Sequence, residues 1–208
     1  TTIQHMHQLN DVKAFFEGSG KEVAIGKPYG FAKQPGRILG CDVGSAATLD
    51  KEVDCFVYFG GGLFHPLGAV YATTKPFFAI DPFANKFARL DEYRERHRKE
   101  ERAKVMRGIT AKKFGILVST KIGQQNLVLA RTLKDKIESA GCEAAILVSN
   151  TFDFDHLNNM LEFDAFVNTA CPRLTTEDTE RLRKPLLSAN NLAEILDLRK
   201  QGAQRKRG

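Results

Sequence analysis

Four cysteines in 208 residues are too few for a disulfide scaffold, so no dense set of crosslinks organises this chain. No apolar run approaches the ~20 residues of a bilayer-spanning helix, which excludes a helical membrane protein over this stretch. No signal peptide opens the chain, and a reducing, cytoplasmic compartment is expected. Thiols kept in that compartment are packing residues, catalytic groups or metal ligands. The chain begins Thr1-Thr2 without an initiator methionine, which leads us to expect a piece of a longer polypeptide. The P-loop pattern and the complete G-x-G-x-x-G dinucleotide fingerprint are also missing.

What is present is ordinary for a folded protein. A hydrophobic content of 42% excludes a disordered chain. The length suits one large domain or two of about 100 residues each. The net charge of +6 is local. Residues 84–113 hold 11 Lys/Arg against 5 Asp/Glu, residues 199–208 hold 5 Lys/Arg and no acid, and the rest carries 15 basic against 20 acidic residues. A charged helix and a tail, not a basic groove, produce the surplus. Such features steer an acidic partner or are simply solvated, and no direct nucleic-acid contact is expected from them.

Strand and helix patterns alternate along the chain. Residues 8–16 read as a helix, 22–26 and 37–40 as strands, and 44–49 as a helix start. Residues 53–59 and 76–80 are near-continuous apolar runs, the mark of strands covered on both faces. From Phe83 the pattern turns helical, with Phe83, Phe87 and Leu90 on one face, and it runs to about Arg107. The second half repeats the scheme: strands at 114–119, 144–148, 165–168 and 185–187, helices to Ser139, over 153–161 and over 190–199. Leu127, Ala130, Leu133 and Ile137 form the core stripe of the first of these helices. The expected fold is α/β: two similar units, each a parallel sheet flanked by helices. The boundaries are 1–88 and 112–199, joined by a charged connector helix over 89–111 and followed by a basic tail over 200–208.

Two cysteines stand at matching points of these units. Cys41 follows the 37–40 run and Cys171 the 165–168 run, each opening a loop where strand C-termini and helix N-termini converge on ligands. Taken together they indicate a shared soft-metal site; taken singly, each is as readily a small buried hydrophobe. Cys55, inside the 53–59 run, is expected in the core, and Cys142 is assigned no function. Gly60-Gly61-Gly62 follows a strand and could cradle a nucleoside or anion, with His65 a proton donor or, as the preferred reading, a hydrogen-bonded loop residue. Ser119-Thr120-Lys121-Ile122-Gly123-Gln124 is the strand-to-helix loop of the second half. There Gln124 and the helix amides could hold an amino-acid carboxylate, or the segment is an N-capping turn. Asp81-Pro82 reads equally as a ribose contact or a helix start. Arg173 could pair with a carboxylate or a cluster charge, or lie at the surface.

These segments, Ile38-Leu39-Gly40-Cys41, Phe59-Gly60-Gly61-Gly62-Leu63-Phe64-His65-Pro66-Leu67-Gly68, Ser119-Thr120-Lys121-Ile122-Gly123-Gln124 and Asn168-Thr169-Ala170-Cys171-Pro172-Arg173, resemble the diphthamide synthesis family, its archaeal members in particular. The resemblance runs over nearly the whole chain. It implies a pseudo-symmetric architecture of three α/β domains, of which this chain holds the second and third. Each domain would give one cysteine to a [4Fe–4S] cluster, here Cys41 and Cys171, leaving one iron open to S-adenosylmethionine. Lys121, Gly123, Gln124 and Arg173 would contact that cosubstrate. The implied reaction is radical transfer of its 3-amino-3-carboxypropyl group to a histidine of translation elongation factor two. The CxxxCxxC motif of common radical enzymes using this cosubstrate is absent. A homodimer is implied as well. Because two thiolates cannot close a three-cysteine site, the third is expected from a missing first domain or a second chain. A non-catalytic partner subunit of a diphthamide complex and a metal-free α/β nucleotide-binding module stand as alternatives.

Overall fold

The computed structural model describes residues 1–175 and 181–205, and the side chains of Arg173, Ala203 and Arg205 lie outside that description. The chain divides into two compact units, Thr1–Arg98 and Lys99–Gly208.

The first unit opens with a 3₁₀ segment, Ile3–Gln8, running into α1 (Leu9–Gly18). After α2 (Gly44–Ala47) come β1 (Phe56–Phe59), α3 (Phe64–Ala72), β2 (Phe77–Asp81) and β3 (Lys86–Arg89). The sheet order is β1-β2-β3, with β1 parallel and β3 antiparallel to β2. Side chains alternate across a strand, so Phe56, Tyr58, Phe77 and Ala79 share one face. They bury it against Ala69 and Val70 of α3, with Ile38 and Leu90 closing the cluster.

Three expectations fail in this unit. Residues 22–26 and 37–40 form no ladder, and among the described residues their region holds only the isolated bridges Tyr29–Ala32 and Leu39–Asp42. Their hydrogen bonds go to the loop instead: Gly36 N–H donates to Gly26 O and Ile38 N–H to Thr1 O. Cys55 is exposed, because it precedes the first residue of β1 rather than lying within it. The segment from Phe83 begins as a hairpin, not a helix. The Asp81 carboxylate accepts the N–H groups of Phe83 and Ala84, and Asn85 takes φ 47°, so the chain reverses into β3. Phe83 and Phe87 are left 84% and 68% exposed, and only Leu90 of the supposed apolar face is buried.

Helix α4 (Tyr93–Gly108) follows. Its Arg94 guanidinium donates to the carbonyls of Val70, Thr74 and Lys75, satisfying groups that the end of α3 leaves unpaired. Val105 and Gly108, at the other end of α4, belong to the second unit's core.

That second unit carries β4 (Lys113–Ser119), α5 (Leu127–Ser139), β5 (Glu143–Ser149), α6 (Phe154–Asn159), β6 (Ala165–Asn168), β7 (Leu186–Leu187) and α7 (Ala189–Arg205). The sheet is wholly parallel in the order β5-β4-β6-β7. β4 is covered on both faces. Phe114, Ile116 and Val118 meet α5 and α7 in one cluster, while Leu117 joins Leu157 of α6 and Phe166 in another. This double burial is why β4 reads as an unbroken apolar run. Helix α5 is capped by the Asn126 side chain, which accepts from Leu129 N–H, and its Ala130, Leu133 and Ile137 face the core. α7 extends to Arg205, past the expected end at 199.

Phe166 is fully buried, 5.8 Å from the Phe163 ring, and lies so close to Gly115 that a Cβ there would come within 2.8 Å. Phe166→Ala is expected to lower the second unit's unfolding free energy by about 3–5 kcal/mol, read by urea denaturation followed by circular dichroism. In the first unit, Asp91 takes both Nε and Nη2 of Arg89 at 2.9 Å, and this pair holds its carboxyl down at about 2. A depressed carboxylate contributes stability above its unfolded value near 4 and loses it as pH falls toward 2. Asp91→Asn should flatten that acid limb while leaving neutral-pH behaviour of the other carboxylates unchanged, as thermal melts across pH would record.

Candidate functional site

The path of the second unit dictates where a ligand can sit. From β4 the chain crosses through α5 to β5 on one side, then returns through α6 to β6 on the other. The loops leaving β4 and β6 therefore part in opposite directions, and the crevice at that reversal is where open α/β sheets bind ligands. A cavity of about 450 Å³ occupies this place, lined by Ser119 and Lys121 after β4, Asn150 to Phe154 after β5, and Ala170 and Cys171 after β6. Gln124, Leu174 and Arg181 complete its wall.

Cys171 is held there by local chemistry. The Asn168 side chain accepts from Ala170 N–H at 2.9 Å and donates to Cys171 O at 2.8 Å. Thr169 sends both its N–H and its hydroxyl to Leu117 O, at 3.0 and 2.8 Å. Leu174 N–H closes onto Cys171 O at 3.0 Å as the 3₁₀ turn Pro172–Thr175 begins. The thiol is half-buried and free of any disulfide. In the cavity wall, Lys121 is exposed and Gln124 half-buried. Ser119 Oγ accepts Lys121 N–H at 3.1 Å and Thr120 N–H reaches Ser149 O, which fixes the loop's departure from β4. Gly123 is not part of the wall; it supplies φ 78°, a left-handed turn ahead of the Asn126 cap. The Arg173 side chain lies outside the described residues.

Asp153 caps α6, accepting Asp155 N–H at 2.7 Å, and such backbone donors hold its carboxyl below the usual carboxylate range. Arg181 and Lys121 add positive charge to the same wall. Asn150, Phe152, Asp153, Phe154 and Arg181 were not singled out from sequence. The signal available for residues 150–154 was positional: they follow a strand end, as Ser119 to Gln124 do; Arg181, ahead of β7, carried no such signal.

Cys41 stands in the first unit, exposed, at the tip of a tight turn and not at a strand end. Leu39 and Asp42 exchange N–H···O bonds at 2.8 and 3.1 Å, leaving Gly40 and Cys41 as the two-residue tip. The buried Asp42 carboxylate accepts Phe31 N–H at 2.6 Å and Ala32 N–H at 3.1 Å, pinning the loop before it. Gly40 meets the tip of the Phe64 ring, where a Cβ would come within 2.2 Å of Cζ, so the missing side chain lets α3 approach the cysteine turn this closely. His65 lies in the first turn of α3, its ring edge-on to Phe64. Gly60 and Gly62 take φ 151° and 74°, and Gly61 passes close to the Asp81 carboxylate. Cys142 packs against the second unit's core with its Sγ 2.9 Å from Arg199 Nη1, a structural setting.

Among the described residues, no three His, Cys, Asp or Glu side chains converge to hold a metal ion. Each unit instead carries a thiol on a turn fixed by an Asp or Asn side chain, Cys41 in the first and Cys171 in the second; the first unit also exposes Cys55, just ahead of β1. One turn-held thiol per unit suits a cluster completed by ligands from several domains, and does not suit a self-contained tetrahedral zinc site.

Residues 1–205 match the model of a family described as putative diphthamide synthesis protein. The 2-(3-amino-3-carboxypropyl)histidine synthase of Pyrococcus horikoshii is 36% identical over 201 residues, covering 97% of this chain and 57% of that protein. Subunit 1 of the human 2-(3-amino-3-carboxypropyl)histidine synthase is 27% identical, covering 94% of this chain and 44% of its own length. The crystal structure of Dph2 from Pyrococcus horikoshii with a 4Fe-4S cluster superposes with a TM-score of 0.82 over 95% of this chain and 56% of that one. The chain thus spans about half the length of the curated relatives it matches.

If Asn168 fixes the thiol, Asn168→Ala should let Cys171 react several-fold faster with iodoacetamide while Cys142 reacts at its former rate. Mass spectrometry of the labelled peptides reads both. The two lost hydrogen bonds should also cost about 1–3 kcal/mol of stability.

Proposed function

The chain belongs to the diphthamide synthesis family, and from that premise we propose that it forms part of an enzyme transferring the 3-amino-3-carboxypropyl group of S-adenosylmethionine to a histidine of translation elongation factor two. Cys41 and Cys171 are the two thiolates this chain gives to a [4Fe–4S] cluster. The third comes from outside these residues, from further sequence of the same polypeptide or from a second chain.

The observation that carries this reading is Cys171 lining the switch-point cavity together with Lys121 and Gln124. Three thiolates on four irons leave one iron for an amino and carboxylate chelate, and the bound cluster supplies the electron that breaks a sulfur–carbon bond of the cosubstrate. The protein's share is positioning. Asn168 and Asp42 hold the two cysteine turns, while Lys121 and the Gln124 amide serve the cosubstrate's carboxylate as charge and hydrogen-bond donor. Gly123 gives the loop its turn, and Arg173 follows Cys171 as a second cation for the same ligand.

A reducing, cytoplasmic site of action fits four cysteines that form no disulfide with one another. Among the described residues no helix is long and apolar enough to cross a membrane. Homodimerisation is part of the proposal by likeness to archaeal relatives.

The test joins this region to the rest of a full-length relative-sized polypeptide and reconstitutes it with iron and sulfide without oxygen. A brown protein absorbing near ~400 nm is expected, and Cys41→Ala or Cys171→Ala should each bleach it and abolish transfer. Transfer that survives Cys171→Ala sinks the cluster assignment. A colourless wild type favours the partner-subunit or metal-free readings.

A further inference from the structure

The cavity of the second unit has a wall that neither cysteine loop builds. The turn leaving β5 lines it from Asn150 to Phe154, placing Asp153 between two phenylalanines. In chain order β5 is the second strand of its sheet and lies beside the first, β4. In doubly wound folds the end of that second strand is where a carboxylate meets the ribose hydroxyls of a bound nucleotide.

Asp153 has the chemistry for that task. Its carboxylate is exposed and accepts the backbone N–H groups of Asp155 and His156, with the Arg181 charge nearby. An ionised carboxylate has about four acceptor positions, so capping leaves capacity for two hydroxyl donors. The backbone donors that depress its pKa keep it ionised at neutral pH. Phe152 and Phe154 are half-buried and packed against the apolar cluster beneath the sheet, so their rings are fixed. Aromatic walls of this kind take the face of a nucleobase. A cavity of about 450 Å³ is within the range that encloses such a ligand.

We propose that Asp153 reads the ribose of an S-adenosyl ligand, accepting its 2′ and 3′ hydroxyls, while Phe152 and Phe154 bound the adenine. This rests on the assignment of the cavity to S-adenosylmethionine made above. It divides the wall by chemistry: Lys121 and Gln124 serve the amino-acid end, and the β5 turn serves the nucleoside.

Asparagine caps helices as well as aspartate does, so Asp153→Asn keeps α6 intact and removes only the charge and its acceptor capacity. Calorimetric titration of the full-length, cluster-loaded protein with S-adenosylhomocysteine should show at least about tenfold weaker binding in D153N, with an unchanged thermal melt. In competition, the wild type should prefer adenosine over 2′,3′-dideoxyadenosine by about tenfold, and D153N by less than about twofold. Equal S-adenosylhomocysteine affinity in D153N, or a wild type indifferent to the ribose hydroxyls, overturns the role of Asp153 and leaves the cavity assignment standing. No binding by the wild type removes both.

Discussion

A thiol can bind a metal cluster repeatedly and in one geometry only if its backbone does not wander. Both cysteines of interest meet that condition in the same way, through a short polar side chain that bonds to nearby backbone groups. Asp42, adjacent to Cys41, is buried and gathers the N–H groups of Phe31 and Ala32. Asn168, three residues before Cys171, bonds on both sides of the thiol's loop. Such local bonds are favoured in turns and would be a liability in a strand or helix. They also satisfy backbone groups that a buried loop would otherwise leave orphaned.

The surrounding folds make these turns possible at different levels of regularity. In the second unit a parallel sheet, covered by α5 and α7 on one face and α6 on the other, delivers three strand ends to one crevice. Lys104 on α4 bonds Thr175 O at 2.5 Å and Glu101 at 2.6 Å, and Asn191 of α7 reaches the same Glu101. The turn after Cys171 is thereby tied to two helices. In the first unit the cysteine turn has no strand beneath it, and close packing takes over. The tip of the Phe64 ring of α3 abuts Gly40, and Gly68 packs close to the Gly40 carbonyl.

Much of the second unit was legible from sequence, and the reason is physical. Strands covered on both faces are apolar at every position, so residues 114–118 and 165–167 announce themselves without a partner in view. The α5 stripe of Ala130, Leu133 and Ile137 is equally local, since helical spacing alone sets it. Errors gathered where two patterns share one composition. Phe83, Phe87 and Leu90 have helical spacing, yet the Asp81-Pro82 turn and Asn85 reverse the chain before a helix can start. Residues 22–26 and 37–40 have strand-like composition but find no ladder among the described residues.

By itself, the order of residues determined the α/β class, the glycine and proline punctuation, and the two cysteine loops, because these depend on neighbours a few positions away. Tertiary structure alone decided that Cys171, Gln124 and Asp153 share one cavity, that Cys55 faces solvent, and that Cys41 rides a turn rather than a strand. The shared cavity hinges on groups distant in sequence meeting in space, as Thr169 meets Leu117 across 52 residues. Hydrophobic periodicity reports which face is buried; it carries no record of what lies on the other side of the contact.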